Sequence, residues 1–556
     1  MKRISFTISL FFSILTAFAA EISGTLPVIY INIDGGAEVT TKETYLSATY
    51  YVDPMGIVGV EAIGSVDAQL PLQIKGRGNY TWTGFEKKPY KLKLAQKTAL
   101  LGMNKSKQFV LLAHADDNKG FLRNAVGLQL SRMIGLQWTP GDVPCELVIN
   151  GSYRGLYFLT ENIKIDKARV NITEQEDNAT ENVSGGWLVE IDNYDSDPHV
   201  EVTEGDGSRI IFTYKSPEAL SSAQEEYLKS QMEKINSLVY SNDKNNCGWA
   251  EYVDLEELAK FYIVNELVDN YESFHGSCYL HKDLGDNEKW YFGPVWDFGS
   301  SFSYNKTQPL YSGREYHSTW IAEMCKFPAF MDVVKSVWQN FYANGYDKIY
   351  DYIDSYTAHI TAAAKQDLLR WPSYGNNNMS QRAGEVKSKL RTAAKYLCGQ
   401  WGPEQETTDK ITVYFKDDEI NPWAEVYIYS WDPEKGNKAY FGGWPGTKMT
   451  LITYEGVPVW SFSTRLDEEP SASTGLIFGN GGSGVPDNQT ADLILVNNKI
   501  YDRNGVIGDI AGVSSVEADE DAPIEYFDLY GRKVVTPISG IYVCKQGSKI
   551  WKQIVR

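Results

Sequence analysis

The strongest constraint on this chain is a period of two. Over residues 28–94 apolar and polar side chains alternate, as in Val28-Ile29-Tyr30-Ile31-Asn32-Ile33, Leu72-Gln73-Ile74-Lys75 and Tyr90-Lys91-Leu92-Lys93-Leu94. Successive side chains of a strand point to opposite faces, so the alternation predicts strands with one buried face, joined at Gly and Asn turns. The pattern then changes. Residues 121–134 carry apolar positions at helical spacing, and strands resume at 146–149, where Asn150-Gly151 marks a hairpin returning through 155–159. The Asn-, Glu- and Ser-rich residues 173–184 read as an exposed loop. Residues 217–239 and 254–268 are helical in pattern, with Asp254 as N-cap and Glu257 three positions on. Strands follow at 277–281 and 289–292, and residues 320–400 are mostly helical. The first 400 residues therefore read as an α+β region.

Composition shifts at Gly402-Pro403-Glu404. Residues 410–500 are short strands broken by Gly and Pro turns, the pattern of an all-β sandwich. Past an acidic linker at 517–521, a last piece reads as two or three strands at 526–529, 533–535 and 540–543. The expected segments are 1–19, 27–400 (a core at 27–310 and a helical part at 311–400), 405–512, and a small β domain at 522–556.

Residues 1–19 set the expected compartment. Lys2 and Arg3 precede a short apolar run that ends at Ala17-Phe18-Ala19, the pattern of a cleaved secretory signal, so a secreted or cell-surface location is expected. The run is shorter than the about 20 residues a bilayer span needs, and no transmembrane span is expected elsewhere. The formal charge of −19 grows more negative without Lys2 and Arg3, which argues against nucleic acid as a partner. Six cysteines lack C-x-x-C spacing, so no zinc site is expected, although an exported chain has the option of pairing some of them.

Two stretches carry chemistry. The helix from Asp254 leads to Asn270-Tyr271-Glu272-Ser273, and a hairpin then returns through Gly293-Pro294-Val295-Trp296-Asp297-Phe298-Gly299. Glu272 and Asp297 at the ends of neighbouring elements suit a general base beside a metal-binding carboxylate, or a shared Mg²⁺ site. A D-F-G tripeptide alone reads equally as a turn closing a hairpin. The second stretch is basic: Lys75-Gly76-Arg77-Gly78-Asn79-Tyr80-Thr81-Trp82, then Lys87-Lys88-Pro89-Tyr90-Lys91-Leu92-Lys93. Lys91 and Lys93 share one strand face, either turned toward phosphates or solvated. Neither a G-x-x-x-x-G-K-[ST] loop nor an H-R-D triplet is present.

Taken in order, Lys75–Trp82, Lys88-Pro-Tyr-Lys-Leu-Lys93, Leu122-Arg123-Asn124, Ile149-Asn-Gly-Ser-Tyr-Arg-Gly-Leu-Tyr157, Thr160-Glu-Asn-Ile-Lys-Ile-Asp166 and Val295-Trp-Asp-Phe298 resemble the CotH family of atypical kinases over residues 27–310. The resemblance implies a kinase-like domain that uses ATP and Mg²⁺ to phosphorylate Ser or Thr of a protein substrate. It implies a metal ligand at Asp297 and a catalytic carboxylate at Glu272, where the family usually has Asp. Arg77, Lys88, Lys91 and Lys93 would face the phosphates, and Glu161 would orient a lysine or help hold metal. Gly299 stands where many relatives have a second Asp.

Val413-Tyr-Phe-Lys416, Val426-Tyr-Ile-Tyr-Ser-Trp-Asp432, Gly443-Trp-Pro-Gly446 and Gln489-Thr-Ala-Asp-Leu493 resemble the family-26 starch-binding modules. That implies an aromatic platform for a starch-like α-glucan, made by Tyr427, Tyr429 and Trp444, with Trp423 and Gln489 as further candidates. Strand alternation puts Tyr427 and Tyr429 on one face, either platform or sandwich core, and Trp431 is assigned to the core. Glu525-Tyr-Phe-Asp-Leu-Tyr-Gly-Arg-Lys533 and Gly540-Ile-Tyr-Val543 resemble the C-terminal sorting domains of the Bacteroidetes type IX secretion route; the other reading is a small β add-on. The functional reading is an exported protein kinase that binds starch. The alternative is a catalytically degenerate glycan-binding or structural surface protein on the same scaffold.

Overall fold

The alternating strands of the first part close on themselves. The computed structural model describes residues 20–193, 197–205, 207–312, 320–374, 378–402, 410–418, 421–454, 457–466, 470–482, 484–485, 487–510, and the backbone of strands at 525–527, 533–534, 540–546 and 549–555. Strands β1 (Val28–Ile33), β2 (Leu46–Asp53), β3 (Leu70–Gly76), β4 (Tyr90–Thr98), β5 (Ser106–Leu112), β6 (Asp142–Ile149) and β7 (Ser152–Glu161) form a closed barrel in the order β1-β2-β3-β4-β5-β7-β6. Neighbours are antiparallel except β1 and β6, where Val28 lies opposite Glu146 in parallel register and shuts the ring. Closure satisfies backbone groups that an open sheet would leave at its edges.

The barrel core is the period of two made solid. Ile29, Ile31 and Ile33, then Leu72 and Ile74, then Leu92 and Leu94, point inward. Lys75, Lys91 and Lys93 alternate with them and lie on the outer wall. Asn150 and Gly151, which join β6 to β7, both hold positive φ (49° and 73°), as the expected two-residue hairpin requires.

A second sheet, in the order β12-β11-β8-β10-β9, comprises β8 (Trp187–Ile191), β9 (His199–Thr203), β10 (Arg209–Ser216), β11 (Cys278–Lys282) and β12 (Tyr291–Phe292). The helices are α1 (Tyr80–Gly84), α2 (Leu122–Ile134), α3 (Ser222–Val239), α4 (Leu255–Val268), α5 (Trp320–Met324), α6 (Pro328–Asn344), α7 (Lys348–Arg370) and α8 (Met379–Trp401). Helix α4 is the hub. From Glu257 to Val268 only Lys260 escapes burial, and a helix enclosed on nearly all sides belongs in the centre of a core. Asp254 caps it as expected, accepting the Glu257 N–H at 2.9 Å. Glu257 does not complete the reciprocal box. Its carboxylate accepts the Gln137 N–H at 2.7 Å instead, and burial raises its pKa to about 7. The full capping box sits at α3, between Ser221 and Gln224.

The barrel is fastened to the helices by a buried ion pair. Lys87, fully buried, reaches Asp367 of α7 at 2.7 Å and donates to the Leu156 carbonyl at 2.6 Å. Asp367 also accepts the Leu156 N–H at 2.9 Å. Burial lowers the Lys87 pKa and raises that of Asp367, and their mutual attraction opposes both shifts. A step further along, the Trp371 indole N–H donates to the Arg154 carbonyl at 2.8 Å, and the Tyr374 hydroxyl accepts the Glu86 N–H at 2.8 Å.

The chain divides into two compact units, Met1–Pro403 and Glu404–Arg556. In the second, a sheet ordered β16-β17-β13-β20-β21 contains β13 (Lys410–Phe415), β16 (Thr450–Tyr454), β17 (Val457–Arg465), β20 (Lys499–Asp502) and β21 (Gly505–Asp509). A sheet ordered β15-β14-β18-β19 contains β14 (Tyr427–Trp431), β15 (Thr447–Lys448), β18 (Gly475–Gly479) and β19 (Leu493–Ile494). Val413, Phe415, Ile428, Phe462 and Phe478 belong to one core that both sheets share, which makes the expected sandwich. The last piece has one strand more than expected: β22 (Glu525–Phe527), β23 (Lys533–Val534), β24 (Gly540–Gln546) and β25 (Lys549–Val555) form one sheet. Residues 1–19, the linker at 517–521 and the Asp528–Arg532 stretch of the sorting-type motif lie outside the described residues.

Two further expectations can be placed. Cys145, Cys247, Cys278, Cys325 and Cys398 are free thiols, so the optional disulfides do not form among them. Among the described residues, no helix is long and apolar enough to cross a membrane. The Lys87 clasp gives a stability prediction. Lys87→Met leaves Asp367 buried without its cation and should destabilise the full chain by about 3–5 kcal/mol, read as an earlier midpoint in urea denaturation. Adding Asp367→Leu should recover part of that loss, since the Leu156 amide then lacks its acceptor.

Candidate functional site

One cleft of about 1630 Å³ collects most of the chemistry of the first unit. Its cationic wall is the outside of the barrel. Lys75 at the end of β3 lies directly opposite Lys91 in the antiparallel register with β4, and Arg77 follows two residues on. Like charges opposite one another on adjacent strands repel. Burial lowers the Lys91 pKa, and Lys75 and Arg77 lower it further. Arg77 lies 5.8 Å from the Trp296 ring, and desolvation lowers its pKa while Asp297 opposes the shift.

The anionic wall is built at the exit of α4. Asp269 ends the helix in the left-handed region, and the chain turns through residues 270–276. Asn270 is the clasp of this turn. Its Nδ2 donates to Asn265 Oδ1 at 3.0 Å and to the Asp297 carbonyl at 3.1 Å, while its Oδ1 accepts the Ser300 hydroxyl at 2.5 Å. Glu272 stands two residues along and lines the cleft. Burial, then the charges of Asp297, Asp192 and Asp116, raise its pKa to about 7.

The β11–β12 hairpin returns the chain to Asp297, whose φ of 57° is uncommon for a residue other than glycine. Neighbouring groups hold this backbone in place. The Phe298 N–H donates to Asn124 Oδ1 at 3.2 Å, and the Arg123 guanidinium donates to the Gly299 carbonyl. The Phe298 ring is fully buried and lies against Gly127 of α2, where a Cβ would come within 2.6 Å of it. Lys306, buried beneath the turn, pairs with Glu266 and with Asp269 (2.9 Å), fixing the following segment to the end of α4.

A further carboxylate enters from the loop after β5. At Gly299 an added Cβ would stand 3.1 Å from Asp297 Oδ1 and 3.4 Å from Asp116 Oδ2, so the two carboxylates flank this one glycine. Burial, then Asp297 and Asp117, raise the Asp116 pKa to about 6. Glu190 and Asp192, at the end of β8, also line the cleft. Glu190 pairs with Lys215 at 3.1 Å and has its pKa raised by burial to about 7. His114, which also lines the cleft, is held neutral, its pKa lowered to about 3 by burial and by Lys87 and Arg77.

In the second unit, Tyr427, Tyr429 and Trp431 lie on one half-buried face of β14, while Ile428 and Ser430 between them are buried. Tyr429 stacks against Trp431 at 6.0 Å and meets Trp444 edge-on at 5.4 Å. Trp444 is 44% exposed. Trp431 therefore belongs to the aromatic face and not to the core, because strand register outweighs its bulk. Trp423 is a core residue. It stacks on Phe415 at 5.9 Å and donates to the Asp487 carbonyl at 3.0 Å. Gln489 bridges to Gly479, which lies opposite Tyr427.

Residues 74–397 match the family model described as CotH kinase protein. The chain belongs to the CotH kinase protein family. Residues 413–494 match Starch-binding module 26. No curated protein matches the chain.

Within the CotH region the cleft brings together Glu272, Asp297, Arg77 and Lys91. Three other residues named from the sequence are not among those lining it. Lys88 donates to the Trp82 carbonyl at 2.5 Å, Lys93 is exposed further along β4, and Glu161 is buried, accepting the Gly141 N–H at 2.9 Å beside Arg169 at 3.8 Å. Asp116, Asp192, Glu190 and His114 were missed. The Asp116-Asp117 pair shortly before Leu122-Arg123-Asn124 was the one local signal available.

The starch-binding module gives a discriminating prediction. Trp444→Ala should abolish retardation on a starch gel without changing the thermal midpoint of the module. Trp423→Ala should cost about 3–5 kcal/mol of stability, as removal of a buried aromatic does.

Proposed function

We propose that the CotH region transfers the γ-phosphoryl group of ATP to a hydroxyl, of which a protein Ser or Thr is the acceptor the family implies. The observation that carries this reading is the opposition of two walls in one cleft: Lys75, Arg77 and Lys91 against Glu272, Asp116 and Asp297. Three cations crowded on one wall suit the triphosphate. In phosphoryl transfer the protein mainly positions groups and neutralises charge.

The donor set fits Mg²⁺. Among the described residues no three His, Cys, Asp or Glu side chains stand as a ready-made metal cage. Mg²⁺ does not need one, since it is held by one or two carboxylates together with phosphate oxygens and water. Asp297 and Asp116, flanking Gly299, would hold it, and bound there it would neutralise charge on the phosphates. Glu272 takes the acceptor's proton, and its raised pKa suits a base working near neutral pH. Asn270 and Phe298 keep the turn bearing Asp297 in place, which makes them positioning residues.

The starch-binding module supports a role in holding α-glucan, with Tyr429, Trp431 and Trp444 as the stacking surface. We read residues 1–19 as an export signal and 522–556 as a sorting tail, placing the protein at or beyond the cell surface. The second reading, a glycan-binding protein on a catalytically silent scaffold, draws on Glu272 standing where the family usually has Asp.

Autophosphorylation with labelled ATP and Mg²⁺ separates the two. Asp297→Ala should abolish labelling, and Glu272→Gln should lower kcat by roughly 10²–10⁴, the usual size of general-base catalysis. If the wild type takes up no label and ATP gives no thermal shift, the kinase reading is wrong. The pH profile should carry the sign of a base: the rate rises with pH through about 7 as Glu272 loses its proton. Raising Mg²⁺ should move that midpoint down, because a cation at Asp297 removes part of the like-charge repulsion.

A further inference from the structure

The cleft is larger than a nucleotide requires, since pockets for drug-sized ligands run to about 1,000 Å³ and this one is about 1630 Å³. Part of the remaining lining is aromatic, set among polar and charged side chains. Tyr80 of α1 is 69% exposed, the most exposed large hydrophobic side chain among the described residues. It meets Phe85 edge-on at 5.4 Å, and Phe85 meets Tyr374 at 5.6 Å. All three line the cleft. Beside Glu272, Tyr271 packs on Tyr304, itself 50% exposed, at 5.6 Å.

A contiguous run of exposed and half-buried aromatic rings at the edge of a polar cleft marks a binding surface. Rings of this kind match the apolar faces of a sugar, and carboxylates such as Glu190 and Asp192 accept hydrogen bonds from sugar hydroxyls. Neither feature selects for a peptide. The same chain carries a starch-binding module, so a glucan held there is tethered to the cleft-bearing unit at a raised effective concentration.

We propose that the CotH cleft also phosphorylates α-glucan, with Tyr80, Phe85 and Tyr374 as its sugar-binding rim. The inference rests on the phosphoryl-transfer reading above. A glucan hydroxyl oxygen forms the new bond to the γ-phosphorus of ATP. The bond from that phosphorus to the bridging oxygen breaks with its electron pair leaving on ADP, and the hydroxyl proton passes to the Glu272 carboxylate. The products are a glucan phosphate monoester and ADP.

The test uses the full chain, radiolabelled ATP and Mg²⁺ with three acceptors: maltoheptaose, a β-1,4-linked glucose oligomer of the same length, and dephosphorylated casein. Label should enter maltoheptaose, be released as phosphate by a phosphomonoesterase, and be absent from the β-linked oligomer. Tyr80→Ala should raise the KM for maltoheptaose about tenfold, the effect of losing one stacking contact. Label on casein or on the chain itself with none on maltoheptaose overturns the glucan assignment and leaves the kinase reading standing. Equal labelling of both oligomers overturns the α-glucan selectivity, and an unchanged KM in Tyr80→Ala overturns the rim. Absence of label on every acceptor and on the chain defeats both readings together.

Discussion

The first unit depends on the buried ion pair that ties its barrel to its helices. Lys87 leaves the barrel just before β4 and meets Asp367 of α7, and the same carboxylate accepts an amide from β7. Two charges out of water are stable only when each has a partner and its remaining hydrogen-bonding capacity is used. Here both conditions are met, and the barrel's outer wall becomes one side of a cleft with the helical layer behind it. Tyr374, a few residues past Asp367, reaches the cleft rim as part of the same connection.

The other side of the cleft is fixed by backbone contacts to side chains. Asp297 has a strained φ, and strain of this kind persists where the surroundings over-determine it. Asn270, Asn124 and Arg123 each hold one backbone group of residues 297–299, and Phe298 is pressed into the space left by Gly127. The conformation of the acidic turn is thus set from α2 and α4, two helices that share one core. The arrangement aims one carboxylate at the cleft while three neighbouring groups absorb its cost.

Much of this was readable in the sequence, and what was missed has a common cause. The period of two located the barrel strands, but closure depends on β1 pairing with β6, a contact no local pattern encodes. Glu272 and Asp297 were legible because a helix exit and a hairpin place them within one short stretch. Asp116, after β5, and Glu190 and Asp192, at the end of β8, lie far from that stretch in sequence and join the site only through the fold. In the pair Lys87-Lys88 the basic pattern is symmetrical, and only the packing of α7 shows that one lysine is structural. For Trp431 the register that places Tyr427 and Tyr429 outward already contained the answer, and residue type pulled the other way.

The free thiols have a practical side. Cys145, Cys247, Cys278, Cys325 and Cys398 sit inside or beside the helical and barrel cores without a covalent partner. Nothing in those cores relies on oxidation, so the first unit keeps the same contacts in reducing and oxidising surroundings. Recombinant production of the first unit can therefore proceed in an ordinary reducing cytosol, with no need for disulfide isomerases or a redox-shuffling refolding step.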